Sequence, residues 1–536
     1  MNPSRKRGPA VDTDDKVDSD VAQSQSSTTP RSLSHPISPP LKKRRLPAPP
    51  EAQDAQTEIP KASDPQKFRS PFQLTRIRDL PSELNRDTVT LTDILGDPLI
   101  KECWEFNYLH DIDFLMAAFD EDVRSLVKVH VVHGFWKRDD ERKVDLETQA
   151  SQYPNVSLHA AYLPEMFGTH HSKMMILLRH DDTAQIIIHT ANLITQDWTN
   201  MTQAVWSSPM LPLLTSSEKA PEEMPPAGTG GKFKIDFLNY LRAYEKQRRG
   251  TCGSIIQELT KYDFSAIRGS LIASVPGRFP VDAPTKFGWA AMEEALKAVP
   301  VGPEGEIVVQ ISSIATLGPT DNWLKAFFRT LSGGQNRSSP PSFKVVFPTA
   351  DEIRKSLDGY ISGFSIHTKI QSAQQKKQLL YLKPYFCHWA NDSASSAELG
   401  NDTVRDAGRN RAAPHIKTYM RYGDKTIDWA LVTSANLSKQ AWGDARNGAG
   451  EVRISSYEIG VLVWPELFAQ DAIMSPTFQV DSLPPASEPP NDTKPTVALR
   501  MPYSLPLQPY GKDEIPWVAT ASHTEPDWKG QVIRQK

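Results

Sequence analysis

Up to Lys67 the chain has no apolar run of helical or strand period and no aromatic residue, and eleven of its 44 prolines fall there among Ser, Thr, Gln and mixed charge. Such a segment cannot bury enough apolar surface to offset its ordering entropy, so residues 1–67 are expected to form a disordered tail. From Phe68 the pattern becomes that of a folded protein. Short β-branched runs such as "AQIIIHT", "GEIVVQISS", "FKVVFP" and "DWALVTSAN" alternate with helical stretches such as "DFLNYLRAYEKQRR" and "GWAAMEEALKAV". Strands and helices in alternation predict an α/β protein with mixed sheets flanked by helices. Three Pro/Ser/Gly-rich segments, 207–232, 391–413 and 482–496, interrupt the pattern and read as surface loops.

The folded part contains an internal repeat. "HHSKMMILLRHDDTAQIIIHTANLITQDW" carries His171, Lys173, Asn192 and Trp198, and "HIKTYMRYGDKTIDWALVTSANLSKQAW" carries His415, Lys417, Asn436 and Trp442; each pair is 244 positions apart with no gap. Two halves of one architecture are expected, an N-terminal domain over 68–267 and a C-terminal one over 268–536. A third H-x-K, His367 to Lys369, has His388 where the repeat has Asn, and reads as a coincidence of surface or strand.

Along an extended segment, residues i and i+2 project from one face, so His171 and Lys173 point together and Ser172 points away. Turn-type residues follow, His180 to Thr183 in the first copy and Tyr422 to Lys425 in the second. An antiparallel return would bring Asn192 beside His171 and Asn436 beside His415. Two copies meeting would present two imidazoles, two ammoniums and two amides to one cleft. Lys and Asn suit phosphoryl oxygens, where negative charge must be held. One neutral His can attack phosphorus while its protonated partner gives a proton to the departing oxygen, and an unperturbed pKa of roughly 6.5 makes both forms available near neutrality. No HExxH, CxxC or D-x-D-x-D-G pattern accompanies the repeat, so no metal or other cofactor is expected.

Composition bounds the partners. Lys+Arg 61 against Asp+Glu 64 leaves a net charge of −3, so a polyanion must be met by a local basic surface. Three scattered cysteines, Cys103, Cys252 and Cys387, suggest neither a disulfide framework nor a metal knuckle. No signal peptide or membrane span is apparent. In the tail, the runs Arg5-Lys6-Arg7 and Lys42-Lys43-Arg44-Arg45 read as import signals and place the protein in the nucleus.

From about Phe72 to the C-terminus the sequence resembles the phospholipase D superfamily and, within it, the tyrosyl-DNA phosphodiesterases. The resemblance is carried by "FQLTRI", "FNYLHDIDFL", "FGTHHSKMM", "PGRF", "PHIKTYMR", "VTSANLSKQAWG", "SSYEIGVL" and "PYSLPLQPY". The superfamily's Asp five positions after the Lys is replaced here by Leu178 and Tyr422, which disfavours a lipase. The resemblance implies two phospholipase D-like domains related by a pseudo-twofold axis. It implies His171 as the nucleophile that forms a phosphohistidine, His415 as general acid and then base, and Lys173, Lys417, Asn192 and Asn436 as the phosphate-holding set. Glu458 would orient the nucleophilic His and Gln203 the other, so that a carboxylate behind one ring and an amide behind the other break the symmetry. Tyr108, Phe167, Gly168, Ser313, Thr316, Ser438 and Lys439 match positions on the family's DNA side, with Phe167 suited to stacking on a base.

The activity so implied is metal-independent hydrolysis of the bond between a DNA 3′ end and tyrosine, as left by stalled topoisomerase I, and of other blocked 3′ ends. The protein is expected to act as a monomer, away from membranes, with the tail serving repair-protein partners. A phosphatidyl transferase and a catalytically dead DNA-end scaffold are the competing readings. The first would need an amphipathic anchor that the sequence lacks, and intact His, Lys and Asn in both copies argue against the second.

Overall fold

The computed structural model describes residues 66–534 except 136, 138, 216–222, 247–249, 303, 334–340, 392–403, 424, 445–446 and 485–493. Residues 1–65 of the expected tail, its basic runs, and parts of the loops foreseen at 207–232, 391–413 and 482–496 lie outside the described residues. Lys67 already pairs in a strand, so the folded part starts before the expected boundary, and the foreseen loop 207–232 holds the strand Leu211–Pro212 and the start of helix Gly230–Arg242.

Two mixed sheets are built to one plan. In spatial order the first runs Gln73–Leu74, Ala204–Ser207, Thr183–His189, Met174–Arg179, Ile100–Phe106, Lys128–His133 and Val156–Ala160, with Leu211–Pro212 added beside Thr183–His189. The second runs Ser270–Ser274, Glu458–Val463, Ile427–Thr433, Thr418–Tyr422, Glu306–Gln310, Ser342–Val346 and Phe386–Cys387. In both, the last three strands are parallel to one another and the remaining pairs antiparallel. The fold is thus α/β with a duplicated topology, and the offset of 244 is the offset of the central hairpins.

Period-two alternation on those strands separates the cores. Met174, Ile176 and Leu178 join Met420, Val308 and Val461 of the second sheet in one core between the sheets. Met175 and Leu177 face the helices of the first half, and Tyr419, Ile307 and Val309 those of the second. Helix Gly230–Arg242, started by the Thr229 cap on Lys232 N, buries Phe233, Phe237, Tyr240 and Leu241 in the shared core. Helix Asn322–Leu331 buries Trp323, Leu324, Phe327, Phe328 and Leu331, a stripe of helical period, on the outer face of the second sheet.

A small parallel sheet joins the beginning of the folded chain to its end: Thr496–Arg500 lies between Lys67–Phe68 and Ile473–Thr477. Among the described residues no helix is long and apolar enough to cross a membrane.

Candidate active site

Each H-x-K segment lies just ahead of its hairpin, where pairing continues through His189 N–H to Lys173 O (3.0 Å) and Thr433 N–H to Lys417 O (3.2 Å). Between them, Ser172 turns inward to the hydroxyl of Tyr240. The same segments also bridge the halves. His171 N–H donates to Tyr457 O (3.0 Å), and His415 N–H to Thr202 O (3.2 Å). This exchange is reciprocal, as a pseudo-twofold relation requires. It brings both imidazoles to one cleft of about 230 Å³, also lined by Asn192, Asn436, Tyr108, Ser313 and Ser438.

The groups behind the rings also cross between halves. His171 Nδ1 is 2.9 Å from Glu458 Oε2, which Ser434 Oγ also holds at 2.5 Å. His415 Nδ1 is 3.1 Å from Gln203 Nε2, and Gln203 Oε1 accepts from Thr190 Oγ1 at 2.8 Å. Strand pairing makes Gln203 and Glu458 counterparts, 255 positions apart: Ile188 pairs with Trp206 as Val432 pairs with Val461. The expected asymmetry of carboxylate against amide is nevertheless corrected by the structure. Asp197 Oδ2 stands 3.0 Å from His415 Nδ1, fully buried and held by Asn192 N–H at 2.6 Å, so each ring faces a carboxylate. An oxygen at that distance requires a hydrogen on Nδ1, which leaves Nε2 for the cleft in both histidines.

Burial lowers the His171 pKa against the pull of Glu458, and lowers that of His415 to about 3 against the pull of Asp197. Both rings therefore rest neutral. Burial also brings Lys173 down to about 8 and, with Lys173 as neighbour, takes Lys417 well below the ordinary lysine range. The ammoniums are folded back on the carbonyls of His171 and His415. Asn436 Oδ1 accepts from the N–H groups of Ser312 (3.1 Å) and Ser313 (2.9 Å), which commits its oxygen and leaves its NH₂ to donate. Both lysines are depressed chiefly by burial against the pull of Glu458 and Asp197, an effect that an anion entering the cleft would oppose.

The remaining residues foreseen from the sequence divide. Tyr108 packs its ring 5.7 Å from that of His171, and Ser438 both caps helix Lys439–Trp442 and lines the cleft. Gly168 lies in an adjoining cavity of about 180 Å³ that shares Tyr108 and Thr169 with the cleft; a Cβ there would strike Ser455 O at 2.0 Å. Phe167 is 80 % exposed at φ +64°, outside the cleft lining. Thr316 is exposed, with neighbouring Ala315 on the wall instead, and Lys439 leans toward Asp444 at 3.9 Å. Trp442 donates to Asn436 O (3.1 Å), anchoring that strand end, while Trp198 packs on His189.

His367, expected as a coincidence of surface or strand, is exposed and strand-bridged accordingly, but its place beside the cleft was not foreseen. It lines the cleft, with its N–H donating to Ser312 O and a parallel bridge to Ser313. Phe364 and Ser365 lie on the same wall. These three carry no repeat signature, and Asp197 carries none of its own: it occupies a variable position of the repeated N-L-x-x-Q-x-W, where the second copy has Ala441.

Comparison with known proteins follows the geometry. The family model described as tyrosyl-DNA phosphodiesterase matches residues 71–511. A probable tyrosyl-DNA phosphodiesterase of Schizosaccharomyces pombe is 32 % identical, covering 86 % of this chain and 95 % of its own. Tyrosyl-DNA phosphodiesterase 1 of Arabidopsis thaliana is 30 % identical over 87 % of this chain and 77 % of its own. Among solved structures, a mutant of the yeast tyrosyl-DNA phosphodiesterase superposes with a TM-score of 0.60 at 20 % identity, covering 83 % of this chain and 98 % of that one, which shows a shared fold.

Proposed function

The chain belongs to the tyrosyl-DNA phosphodiesterase family, a family of hydrolases, and from that premise we propose that it releases tyrosine from DNA 3′ ends through a covalent phosphohistidine on His171. The single observation that carries the reading is the pair of imidazoles in one cleft, each with Nδ1 held by a carboxylate from across the seam. Substrate binding takes up a proton onto His415 Nε2; in the first step His171 Nε2 forms a bond to phosphorus as the bond to the tyrosyl oxygen breaks, and His415 transfers that proton to the departing oxygen. A tyrosyl leaving group has a free pKa near 10, so this proton assists its departure. In the second step His415 takes a proton from water, the water oxygen bonds to phosphorus, and the P–N bond breaks. Products are a DNA 3′-phosphate and regenerated His171.

Lys173, Lys417, Asn192 and Asn436 hold the equatorial oxygens, and the two fixed cations supply the charge compensation that supports metal-independent chemistry. The substrate in this reading is the adduct left by stalled topoisomerase I, with other blocked 3′ ends as further substrates. DNA occupies the walls that carry Tyr108, Ser313 and Ser438, with Gly168, Phe167, Thr316 and Lys439 further out. The basic runs of the tail support a nuclear location.

Turnover of a 3′-phosphotyrosyl oligonucleotide in EDTA tests the reading. His171→Ala abolishes turnover, and His415→Ala permits a slow first step and accumulates protein–DNA adduct. Equal, adduct-free loss in His415→Ala would count against this order of roles.

A further inference from the structure

Away from the cleft, four segments meet where the beginning of the folded chain joins its end. Arg500 ends the middle strand of the small parallel sheet, and its N–H donates to Ser70 Oγ at 3.0 Å. Its Nη1 reaches Asp481 Oδ1 at 3.2 Å and Arg86 O at 3.3 Å. Asp481 is tied in turn to Ser70 and Asp87 through its backbone. Thr477 is the register partner of Arg500 on the adjacent strand, so the two side chains lie side by side. Arg409 enters from the second half, its carbonyl pinned by Trp389 Nε1 (3.2 Å) and Ala412 N–H (3.0 Å). The neighbouring Gly408, at φ +69°, packs against Leu84 and Gln479.

All four side chains are buried: Arg409 1 %, Arg500 2 %, Asp481 1 % and Thr477 4 % exposed. Yet among the described residues Nε, Nη1 and Nη2 of Arg409, Nε and Nη2 of Arg500, and Oγ1 of Thr477 have no hydrogen-bond partner. A guanidinium does not shed its charge in a protein, and burying one without compensation is among the most costly arrangements a fold can hold. Asp481 answers only one of the two cations. Arg409 is the unmatched one: burial and the charge of Arg500 draw its pKa down to about 9, and Asp481 offsets them only in part.

We propose that Arg409, Arg500 and Thr477 form a buried binding site for a small monovalent inorganic anion of the chloride class, which ties the first and last strands of the folded chain together. The charge count selects the class. Asp87 is answered by Arg69 at 3.0 Å, so Arg409, Arg500 and an Asp481 ionised against the pull of burial leave a single positive charge; a monovalent anion cancels it, whereas a dianion would leave a buried negative charge. The unpartnered N–H and O–H donors suit a spherical acceptor, which takes hydrogen bonds from any direction.

The test uses the full chain at constant ionic strength, melted in sodium chloride, sodium bromide or sodium gluconate, the last being too large for such a site. Because an anion that binds only the folded state stabilises by mass action, the melting temperature rises by several degrees in chloride or bromide and saturates with concentration. In Arg409→Met the halide dependence disappears. If that variant does not fold, a bromide-soaked crystal decides instead: an anomalous peak within hydrogen-bonding reach of Arg409 and Arg500 supports the site. Equal melting in halide and gluconate, or ordered water without halide scattering between the two guanidiniums, overturns it.

Discussion

Asp197 places its Oδ2 3.0 Å from His415 Nδ1, across the seam between the two halves, while Gln203 approaches the same nitrogen at 3.1 Å. The carboxylate favours the charged imidazolium, whereas Gln203 Nε2, which cannot donate to a nitrogen that carries a hydrogen, donates to Asp197 O at 3.3 Å. Asp197→Asn keeps the shape and removes the charge. We expect it to slow single-turnover release of tyrosine by about 10- to 100-fold, since one pKa unit corresponds to about 1.4 kcal/mol. Gln203→Ala should cost less. A quenched-flow comparison on a 3′-phosphotyrosyl oligonucleotide ranks the two, and an inert Asp197→Asn would deny the carboxylate its role.

Glu458, the counterpart of Gln203 in the second half, faces His171. Replacing it with Gln leaves the ring oriented but removes the charge that compensates a phosphohistidine cation. Adduct formation should slow by about tenfold, with less effect on adduct breakdown. Trapped-adduct kinetics separate the two steps.

The free cleft holds a neutral His415, a Lys173 near 8 and a Lys417 well below the ordinary lysine range, all three depressed mainly by burial. A phosphate or vanadate entering between them favours the charged forms, so binding takes up protons and weakens as pH rises through the depressed lysine range. Calorimetry of vanadate binding at pH 8 in buffers of different ionisation enthalpy reads this directly. Identical apparent enthalpies in all buffers would contradict it.

His367 and Phe364 form part of the cleft wall. His367→Ala should raise KM several-fold and leave kcat within about twofold, the signature of contacts made equally in ground and transition states. A fall in kcat alone would bring His367 into the chemistry.

Acid should unfold this protein early. His133, His170 and His189 are buried with pKa values lowered to about 3, in each case chiefly by burial. Unfolded, each titrates near 6.5. The unfolded chain therefore binds more protons once pH drops below about 6.5, and the stability these groups contribute, complete above that pH, is lost progressively toward pH 3. Melting temperatures from pH 8 to pH 4 check the sign; a flat profile would contradict it.

Local sequence determined the hairpins and what they carry. Period-two alternation, turn residues at 180–183 and an ungapped offset of 244 set His171, Lys173 and Asn192, with His415, Lys417 and Asn436, at equivalent strand ends. What faces each ring was decided by tertiary structure, because those partners come from the other half. Asp197 reaches His415 from 218 positions away in sequence, and His367 enters the cleft through a bridge to Ser313 that no repeat encodes. The counterpart relation of Gln203 and Glu458 is hidden by an insertion that turns 244 into 255. The charge between Arg409 and Arg500 likewise arises only where the ends of the folded chain are brought together. Short-range pattern encodes elements because it acts through local backbone geometry and burial, whereas the fields that tune imidazoles and guanidiniums depend on distances through space.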